Sequence, residues 1–462
     1  AGGTTLSRAV AWHFASLGYP ALVARQVAFT PDALSIRNFL ARVNSMVSAS
    51  AGAKDEGGDE GNAQRRYEAP WLIVFDLIHW RSREAELVRF RNELSKAGRP
   101  VLILVVTGAI TPIAFYNESV FRRVAELSHQ ISSDEAKVLG QHLNRFLGEY
   151  GRSRSSEQWH RFYEEHSVQL VEGVAAFWLA LSFWIRGLYD LSESIQERIY
   201  RCFTTTIDRD LWQPILQVAA LSAERVAMPD SLLPSVSTAW PTSQLLDDAR
   251  ADCAPLGLTF VRKDGRRYWA LIHDILGRFL INAVFGDFAL RSGLGFGEAK
   301  DAEHLRFLIL RRIASSSVLG EREFKQIGEE FATFLFKIDP DHGRASFAPY
   351  WREVLSALEE MPQSLRDSSR VFRHHAAVSR RRIARLNSAL YGVESEDRIR
   401  LLREAVDDIS YALERIPYSA GSESDLNLYN SLANAYLDLA GAESEAGADS
   451  SRVTDLRLLA DA

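Results

Sequence analysis

Four small residues at the start of the chain have the types and the order that can hold a phosphate group. Gly2, Gly3, Thr4 and Thr5 come directly before apolar residues with the spacing of a helix. A glycine-rich turn that leads into a helix surrounds phosphate oxygens with backbone N–H groups, and the helix dipole adds positive potential. Aligned with the motif Gly-x-x-x-x-Gly-Lys-Ser/Thr, Gly2 is the second glycine and Gly3 occupies the lysine position. Thr4 then supplies the hydroxyl that binds Mg²⁺.

A carboxylate follows a buried strand at the distance that such a site requires. Residues 71–76 read WLIVFD, a continuous apolar run that closes in Asp76, and a nucleotide site of this kind holds Mg²⁺ through an acid at the end of a neighbouring strand. The sequence therefore predicts Thr4 and Asp76 as the Mg²⁺ residues. Leu77 stands where a second acid would activate water, so we expect slow or absent hydrolysis. The alternative is that the glycines and Asp76 serve only as helix and turn caps.

Two more residues lie where they could contact a bound nucleotide. Thr107 closes another apolar run, 100–107 (PVLILVVT), at the position of a sensor residue. His273 lies in the tripeptide Ile272-His273-Asp274, at the junction of a predicted hairpin and a helix. The alternative for His273 is a histidine that serves only the packing of the protein.

The elements that must position these residues alternate between helix and strand in the first part of the chain. Apolar spacing predicts helices and strands in turn, which indicates a parallel sheet covered on both faces. The predicted order is helix 4–16, strand 21–24, helix 31–47, strand 71–76, helix 84–97 and strand 100–107. Residues 48–66 are rich in glycine, serine and acids and are predicted to be a disordered insertion.

Helical patterns dominate after residue 128. The stretch 258–271 is an exception, because Asp264-Gly265 between two β-type runs predicts a hairpin. Helices followed by a hairpin suggest a small winged-helix module. From residue 302 onward every segment has helical spacing, and 427–439 resembles the first helix of a tetratricopeptide unit.

We therefore predict a multidomain, mainly α protein with an N-terminal α/β P-loop domain. The expected division is a P-loop domain at 1–125, a helical lid domain at 126–205, a winged-helix-like domain at 206–290 and an α-helical repeat region at 291–462. Because residues 1–5 contain no initiator Met, we expect the first strand and first glycine of the phosphate motif to precede Ala1.

Composition limits the partners. The 462 residues carry 54 Lys+Arg and 60 Asp+Glu, a net charge of −6, so no overall positive field attracts nucleic acid or anionic lipid. The basic run 379–385 is interpreted as a solvated helix face.

Two cysteines favour a reducing, cytoplasmic location. The most apolar stretch, 174–185, is too short to span a bilayer and predicts a buried helix.

Metal and hydrolase chemistry find little support in the sequence. Neither cysteine has a partner at ligand spacing, and the histidine pairs His374-His375 and His160/His166 have no Cys or acid neighbour in a recognisable pattern. We therefore expect no zinc site. No Gly-x-Ser-x-Gly sequence is present, so a Ser-His-Asp hydrolase is not supported.

Together these motifs resemble those of the STAND class of signal-transducing P-loop ATPases. Gly-Gly-Thr-Thr-Leu at 2–6 resembles the lysine-less P-loop of bacterial defence members and of vertebrate antiviral proteins, and 127–147 is similar to the start of their lid domain. Ile-His-Asp at 272–274 looks like their Met-His-Asp motif. The resemblance implies ATP or ADP with Mg²⁺ as cofactors, bound by Gly2, Gly3, Thr4, Thr5, Asp76 and Thr107. It also implies that His273 contacts the ADP β-phosphate and holds the inactive state.

The expected function is a nucleotide-gated switch in antiviral or stress defence, and at most a weak ATPase. A protein trigger is expected to bind the C-terminal helical repeats and to cause homo-oligomerisation that controls an effector. We expect neither a membrane nor nucleic acid as a partner. The alternative is a non-catalytic helical-repeat scaffold whose P-loop has decayed.

Overall fold

The chain forms two compact units, residues 1–193 and 194–462, in the computed structural model. The structure describes residues 2–24, 33–51, 71–75, 90–94, 101–105, 133–149, 153–167, 195–252, 256–263, 265–340, 344–419 and 422–461. None of the helices within these ranges is both long enough and apolar enough to cross a membrane. Cys202 is a buried free thiol, and Cys253 lies outside the described residues.

The first unit is built on a parallel sheet, as predicted. Its strands pair in the order β1-β2-β3, with Ala21 opposite Leu72 and Trp71 opposite Val101. The elements are α1 (Gly2–Ser16), β1 (Ala21–Ala24), α2 (Ala33–Ala51), β2 (Trp71–Phe75), β3 (Val101–Val105), α3 (Ser133–Glu149) and α4 (Ser156–Ser167). A further helical segment covers 90–94.

Both faces of the central strand β2 are buried. Trp71 and Ile73 pack on one face, against Leu40 of α2 and the helical segment 90–94. Leu72 and Val74 pack on the other face, against Ala11 of α1. Successive side chains of a strand point to opposite faces, so a strand with helices on both sides must be apolar at every position. This explains why residues 71–75 show a continuous apolar run, and it confirms the predicted α/β fold of this unit.

Several predicted boundaries shift in the structure. Helix α2 continues to Ala51, so residues 48–51, placed in the predicted insertion, are helical, because the pattern Ser-Ala-Ser-Ala can still follow the preceding turns. The rest of that insertion lies outside the described residues. So do the apolar stretch 174–185 and most of the lid segment before Ser133.

The second unit opens with a helix pair and a small antiparallel sheet. Strands β5 and β6 form the predicted hairpin, with Gly265 in its turn at a φ of 77° that favours glycine. The elements are α5 (Ile195–Thr205), α6 (Trp212–Ser222), β4 (Met228–Pro229), α7 (Thr242–Asp248), β5 (Leu258–Lys263), β6 (Arg266–Leu271) and α8 (Asp274–Gly286). The short β4 pairs with β6, which places Met228 opposite the fully buried Trp269.

Helices complete the second unit. They are α9 (Phe288–Gly293), α10 (Ala302–Ala314), α11 (Lys325–Glu330), α12 (Trp351–Glu360), α13 (Gln363–Ser368), α14 (Arg370–Ala384), α15 (Ser388–Tyr391), α16 (Ser395–Arg415), α17 (Asp425–Glu445) and α18 (Ser450–Asp461). Helices α14, α16, α17 and α18 pack in chain order, each against the next. Their shared core contains four buried alanines, which let helix axes approach closely: Ala377, Ala405, Ala412 and Ala435. The winged-helix and tetratricopeptide interpretations, and the fourfold domain division, stay predictions.

Candidate functional site

The glycine- and threonine-rich start of the chain forms the first turn of α1. Helix α1 begins at Gly2, so Gly3, Thr4 and Thr5 are also helical. The first N–H groups of a helix have no carbonyl partner within it, and the helix dipole makes this end positive. The backbone of this turn therefore has the property that an anion site needs.

Helix α1 runs back along the sheet that it covers. Four residues, 17–20, join its end to the start of β1, with Gly18 at a φ of 85°. Ala11 packs against Leu72 and Val74 on one face of the sheet. A helix that lies on a sheet and enters a strand through so short a turn runs antiparallel to that strand. The first turn of α1 is therefore directed towards the carboxyl ends of the strands, where ligands of open α/β sheets bind.

Two predicted site residues follow strands of this sheet. Asp76 comes directly after Phe75, the last residue of β2, and Thr107 follows Val105, the last residue of β3, by two positions. Both residues lie outside the described part of the chain. The strands that precede them are confirmed as neighbours, and their carboxyl ends share one edge of the sheet.

His273 belongs to the second unit and is the N-cap of α8. Its backbone is extended, at φ −148° and ψ 139°, and its side chain is about one-fifth exposed (21 %). Nδ1 lies 2.8 Å from Asp274 Oδ1 and 3.3 Å from the backbone nitrogen of Ile275. The contact with Asp274 requires Nδ1 to donate a hydrogen bond, whereas the contact with Ile275 requires the same nitrogen to accept one. The shorter contact assigns a proton to Nδ1, because two lone pairs at 2.8 Å would repel, so Nδ1–H donates to Asp274.

This assignment leaves Nε2 as the open nitrogen of His273. No partner of Nε2 occurs among the residues that the structure describes. A neutral ring offers a lone pair there, whereas a doubly protonated ring offers an N–H donor and a positive charge.

Asp274 is held in turn by a residue that the sequence did not indicate. Both Nε and a terminal nitrogen of Arg225 lie 3.0 Å from Asp274 Oδ2. Burial by itself would raise the pKa of Asp274, but the hydrogen bond from His273 and the charge of Arg225 lower it well below its usual range. Arg225 follows the end of α6 at a φ of 64°, which is uncommon for a residue with a side chain. Nothing in the local sequence around Arg225 signals a partner 49 positions away.

The backbone around His273 is fixed to α6. The hydroxyl of Ser222 accepts a hydrogen bond from the backbone N–H of Leu271 at 2.9 Å. Gly277 lies so close to α6 that a Cβ there would be 2.4 Å from the carbonyl oxygen of Ala219. The end of the hairpin, the tripeptide 272–274 and the first turns of α8 are thus held against a single helix.

The candidate residues therefore fall into two groups. Gly2, Gly3, Thr4 and Thr5 belong to the first compact unit, and His273 with Asp274 and Arg225 belongs to the second. A nucleotide contact that uses both groups stays a prediction.

Comparison with known protein families matches residues 1–384 to the family described as Novel STAND NTPase 7. A search among curated proteins found no match. The match covers 384 of 462 residues and includes the parallel sheet, the hairpin and His273. NTPases of this class use a nucleotide, and Mg²⁺ accompanies the nucleotide phosphates in such sites. The chain belongs to the Novel STAND NTPase 7 family of STAND-class P-loop NTPases.

Proposed function

We propose that the chain is the core of a nucleotide-gated signalling switch, in which ADP maintains a resting state and ATP favours an active oligomer. The observation that carries the proposal is the first turn of α1. It is built from glycine and threonine, and it is directed towards the carboxyl edge of a parallel sheet in a chain that belongs to a STAND NTPase family.

The residue types at this turn fit a nucleotide with Mg²⁺. Gly2 and Gly3 allow close approach of a phosphate to the backbone N–H groups of the helix end. Thr4 and Asp76 would supply the oxygen ligands that Mg²⁺ prefers. Bound there, Mg²⁺ neutralises the charge on the phosphate oxygens. Thr5 and Thr107 are proposed to complete the polar surroundings of the phosphates.

Turnover is proposed to be slow. Gly3 replaces the lysine that contacts the β/γ-phosphates, and Leu77 stands in place of an acid that orients water. Each electrostatic group of this kind commonly contributes about 10²-fold or more to the rate. A switch with slow hydrolysis keeps its state long enough for a trigger to act. Turnover above about one per second by the purified chain would contradict this part of the proposal.

His273 is proposed to couple the second unit to the bound nucleotide. Nε2 of His273 has no partner among the described residues, so it is the ring nitrogen that would face a phosphate oxygen. The contact would exist only in the ADP-bound resting state. A ligand shifts such an equilibrium through its different affinity for the two states, so loss of the contact should favour the open state.

The remaining elements are proposed to connect a trigger to the switch. The order of α5, α6, β4, α7 and the hairpin supports a winged-helix module, and the sequential packing of α14, α16, α17 and α18 supports a repeat-like sensor. In this proposal a protein trigger binds the sensor, the chain forms homo-oligomers, and an effector acts in antiviral or stress defence.

Titration with fluorescent ADP in the presence of Mg²⁺ tests the nucleotide site. Thr4→Ala and Asp76→Ala each remove a group that would face the metal or a charged phosphate, and such a contact contributes about 1.5–3 kcal/mol, a weakening of roughly tenfold to hundredfold. Asp248→Asn is the matched control, because Asp248 is an exposed carboxylate that only accepts from Gln244. Equal affinity of all four proteins would reject the assignment.

A further inference from the structure

Two histidines and a glutamate come together at the C-terminal helices. His374 and His375 are consecutive residues of α14, and Glu423 lies in the connection that precedes α17. The ligand atoms of these three side chains all lie within 4.8 Å of one another. The sequence had excluded a zinc site at His374-His375 because no acid is close in the chain. That reason no longer holds, because the fold brings an acid, Glu423, from the connection between α16 and α17.

His374 is held on both sides. Its Nδ1 lies 3.0 Å from Glu423 Oε2, and its Nε2 lies 2.6 Å from the hydroxyl of Ser431. The other oxygen of Glu423 accepts from the side-chain amide of Asn427 at 2.6 Å.

Nδ1 of His375 is buried and makes no hydrogen bond to any residue that the structure describes. Nδ1 of His374 likewise makes none there, although it lies 3.0 Å from Glu423 Oε2. A buried polar atom without a partner costs free energy, and native proteins satisfy nearly all such atoms. An imidazole nitrogen without a hydrogen-bond partner can bind a metal ion.

We propose that His374, His375 and Glu423 bind one divalent transition-metal ion, with Zn²⁺ as the ion that this ligand set fits best. Imidazole nitrogen with carboxylate oxygen is a donor set that Zn²⁺ accepts, and three protein ligands leave one position for water or a fourth donor. The hydroxyl of Ser431 contacts the other ring nitrogen of His374, Nε2, and would orient this ligand as an outer partner. The ion gives the orphaned histidine a partner and balances the charge of Glu423.

The consequence is a link between two parts of the helical array. His374 and His375 lie within residues 1–384, which the family match covers, whereas Glu423 and Ser431 lie beyond them. Arg370, four residues before His374 on the same face of α14, already donates to the carbonyl oxygen of Ile416 at 2.6 Å. The metal would thus reinforce an existing contact between α14 and the segment that leads into α17.

One neighbour opposes the ion. Lys337 is an electrostatic neighbour of His375, and its positive charge repels a divalent cation. The affinity should therefore be weaker than that of structural sites made of cysteine thiolates. Lys337→Gln should tighten binding of Zn²⁺.

Zinc binding by the intact 462-residue chain, free of nucleotide, provides the test. The affinity is measured by competition with a chromophoric chelator, and the stoichiometry by metal analysis after gel filtration. His375→Gln removes a ligand and Glu423→Gln keeps the acceptor for Asn427, so both variants should fold but lose zinc. Ser431→Ala removes only an outer partner and should weaken zinc affinity by roughly 10–100-fold. The zinc affinity of the two ligand variants should fall by more than this. Zn²⁺ should raise the melting temperature of the unaltered chain but not that of Glu423→Gln.

His160→Gln is the matched control. His160 pairs with Glu164 at 3.2 Å on an exposed helix and belongs to no group of three possible ligands within the described residues. It should bind zinc as the unaltered chain does. Zinc held by the nucleotide site would persist in every variant, so only the difference between proteins measures the cluster. Equal zinc binding by Glu423→Gln and the unaltered chain, or no zinc binding by the unaltered chain, would overturn the proposal. Fluorescent-ADP affinity of Glu423→Gln should be unchanged.

Discussion

At the scale of single residues, the arrangement around His273 is the most informative feature of the chain. One ring nitrogen donates to Asp274, which Arg225 holds in place, and the other has no partner among the described residues. A histidine that served only packing would be expected to use both nitrogens or to bury them. The geometry therefore separates two roles of the residue, as the partner of Asp274 and as a donor to a ligand.

His273→Asn is the variant that separates these roles. Asparagine is among the best N-cap residues, so a new cap bond at the start of α8 offsets the lost bond to Asp274 while the ring and its Nε2 are removed. If Nε2 contacts ADP in the resting state, loss of about 1.5–3 kcal/mol should raise the open population roughly tenfold to hundredfold. Trigger-independent oligomers with an unchanged melting temperature are expected, measured by light scattering and calorimetry on one sample. A stable monomer with unaltered ADP affinity would mean that His273 serves only the local structure around Asp274.

Asp274 gives a prediction on pH. Its pKa is lowered in the folded state, so its contribution to stability is complete above the unfolded value of about 3.9 and is lost as the pH falls through the folded value. Asp274→Asn should therefore lower the free energy of unfolding by about 1.5–3 kcal/mol at pH 7, and by progressively less below about pH 4. Urea unfolding at several pH values measures this. The exposed control Asp248→Asn should change little, and a deficit of Asp274→Asn that is independent of pH would contradict the ion-pair account.

At the scale of elements, the contact between α6 and α8 fixes the position of the tripeptide 272–274. The buried side of α6 includes Ile215, Val218 and Ala219, each with essentially no exposed surface. Gly277 allows the two backbones to approach where a larger residue would separate them. Because α8 carries His273 at its start, a change in this helix crossing changes the direction of the histidine.

Two glycines of α8 offer a matched pair of substitutions. A Cβ at Gly277 would lie 2.4 Å from a backbone oxygen of α6, whereas a Cβ at Gly286 has nothing within 4 Å. Gly277→Ala should cost about 1–3 kcal/mol through overpacking, and Gly286→Ala should be neutral or slightly stabilising because alanine favours the helix. Thermal unfolding of the two variants gives the comparison. Equal melting temperatures would mean that α6 and α8 are not in close contact.

At the scale of the whole molecule, the second unit is held together across the boundary predicted at residue 290. Helix α10 packs against α6 and α8. Arg306 of α10 is buried and pairs with Glu224 at 2.8 Å and with Glu303 at 2.7 Å. A cut at 290 would leave this arginine without the partner that follows α6, and breaking a buried ion pair is strongly destabilising.

Two fragments test this unit. The fragment 194–462 contains a complete core and should melt cooperatively, whereas 291–462 lacks α6 and α8 and should be largely unfolded or aggregate. Circular dichroism melting and hydrogen exchange distinguish the two outcomes. An Arg306→Met change within 194–462 is the control for the ion pair alone. A cooperative melt of 291–462 would show that the C-terminal helices form an independent domain, as the fourfold division predicts.

The sequence by itself determined the features that depend on local pattern. The apolar runs 71–76 and 100–107 predicted buried parallel strands, which the structure has at 71–75 and 101–105, because a strand covered on both faces must be apolar throughout. Asp264-Gly265 predicted the hairpin, since that turn requires a positive φ. The order of Gly2, Gly3, Thr4 and Thr5 before a helical pattern, with Ile-His-Asp much later, was sufficient to indicate the STAND class that the family match confirms.

Only the tertiary structure decided which distant side chains meet. Arg225 reaches Asp274, Arg306 reaches Glu224, and Glu423 reaches His374 through packing between helices. No periodic pattern or fixed spacing in the sequence identifies these pairs. Contacts between elements depend on helix crossings, which many residues determine together. The acid beside His374-His375 was not foreseen for the same reason: the sequence shows which residues can bind an ion, but the fold decides which of them share one place.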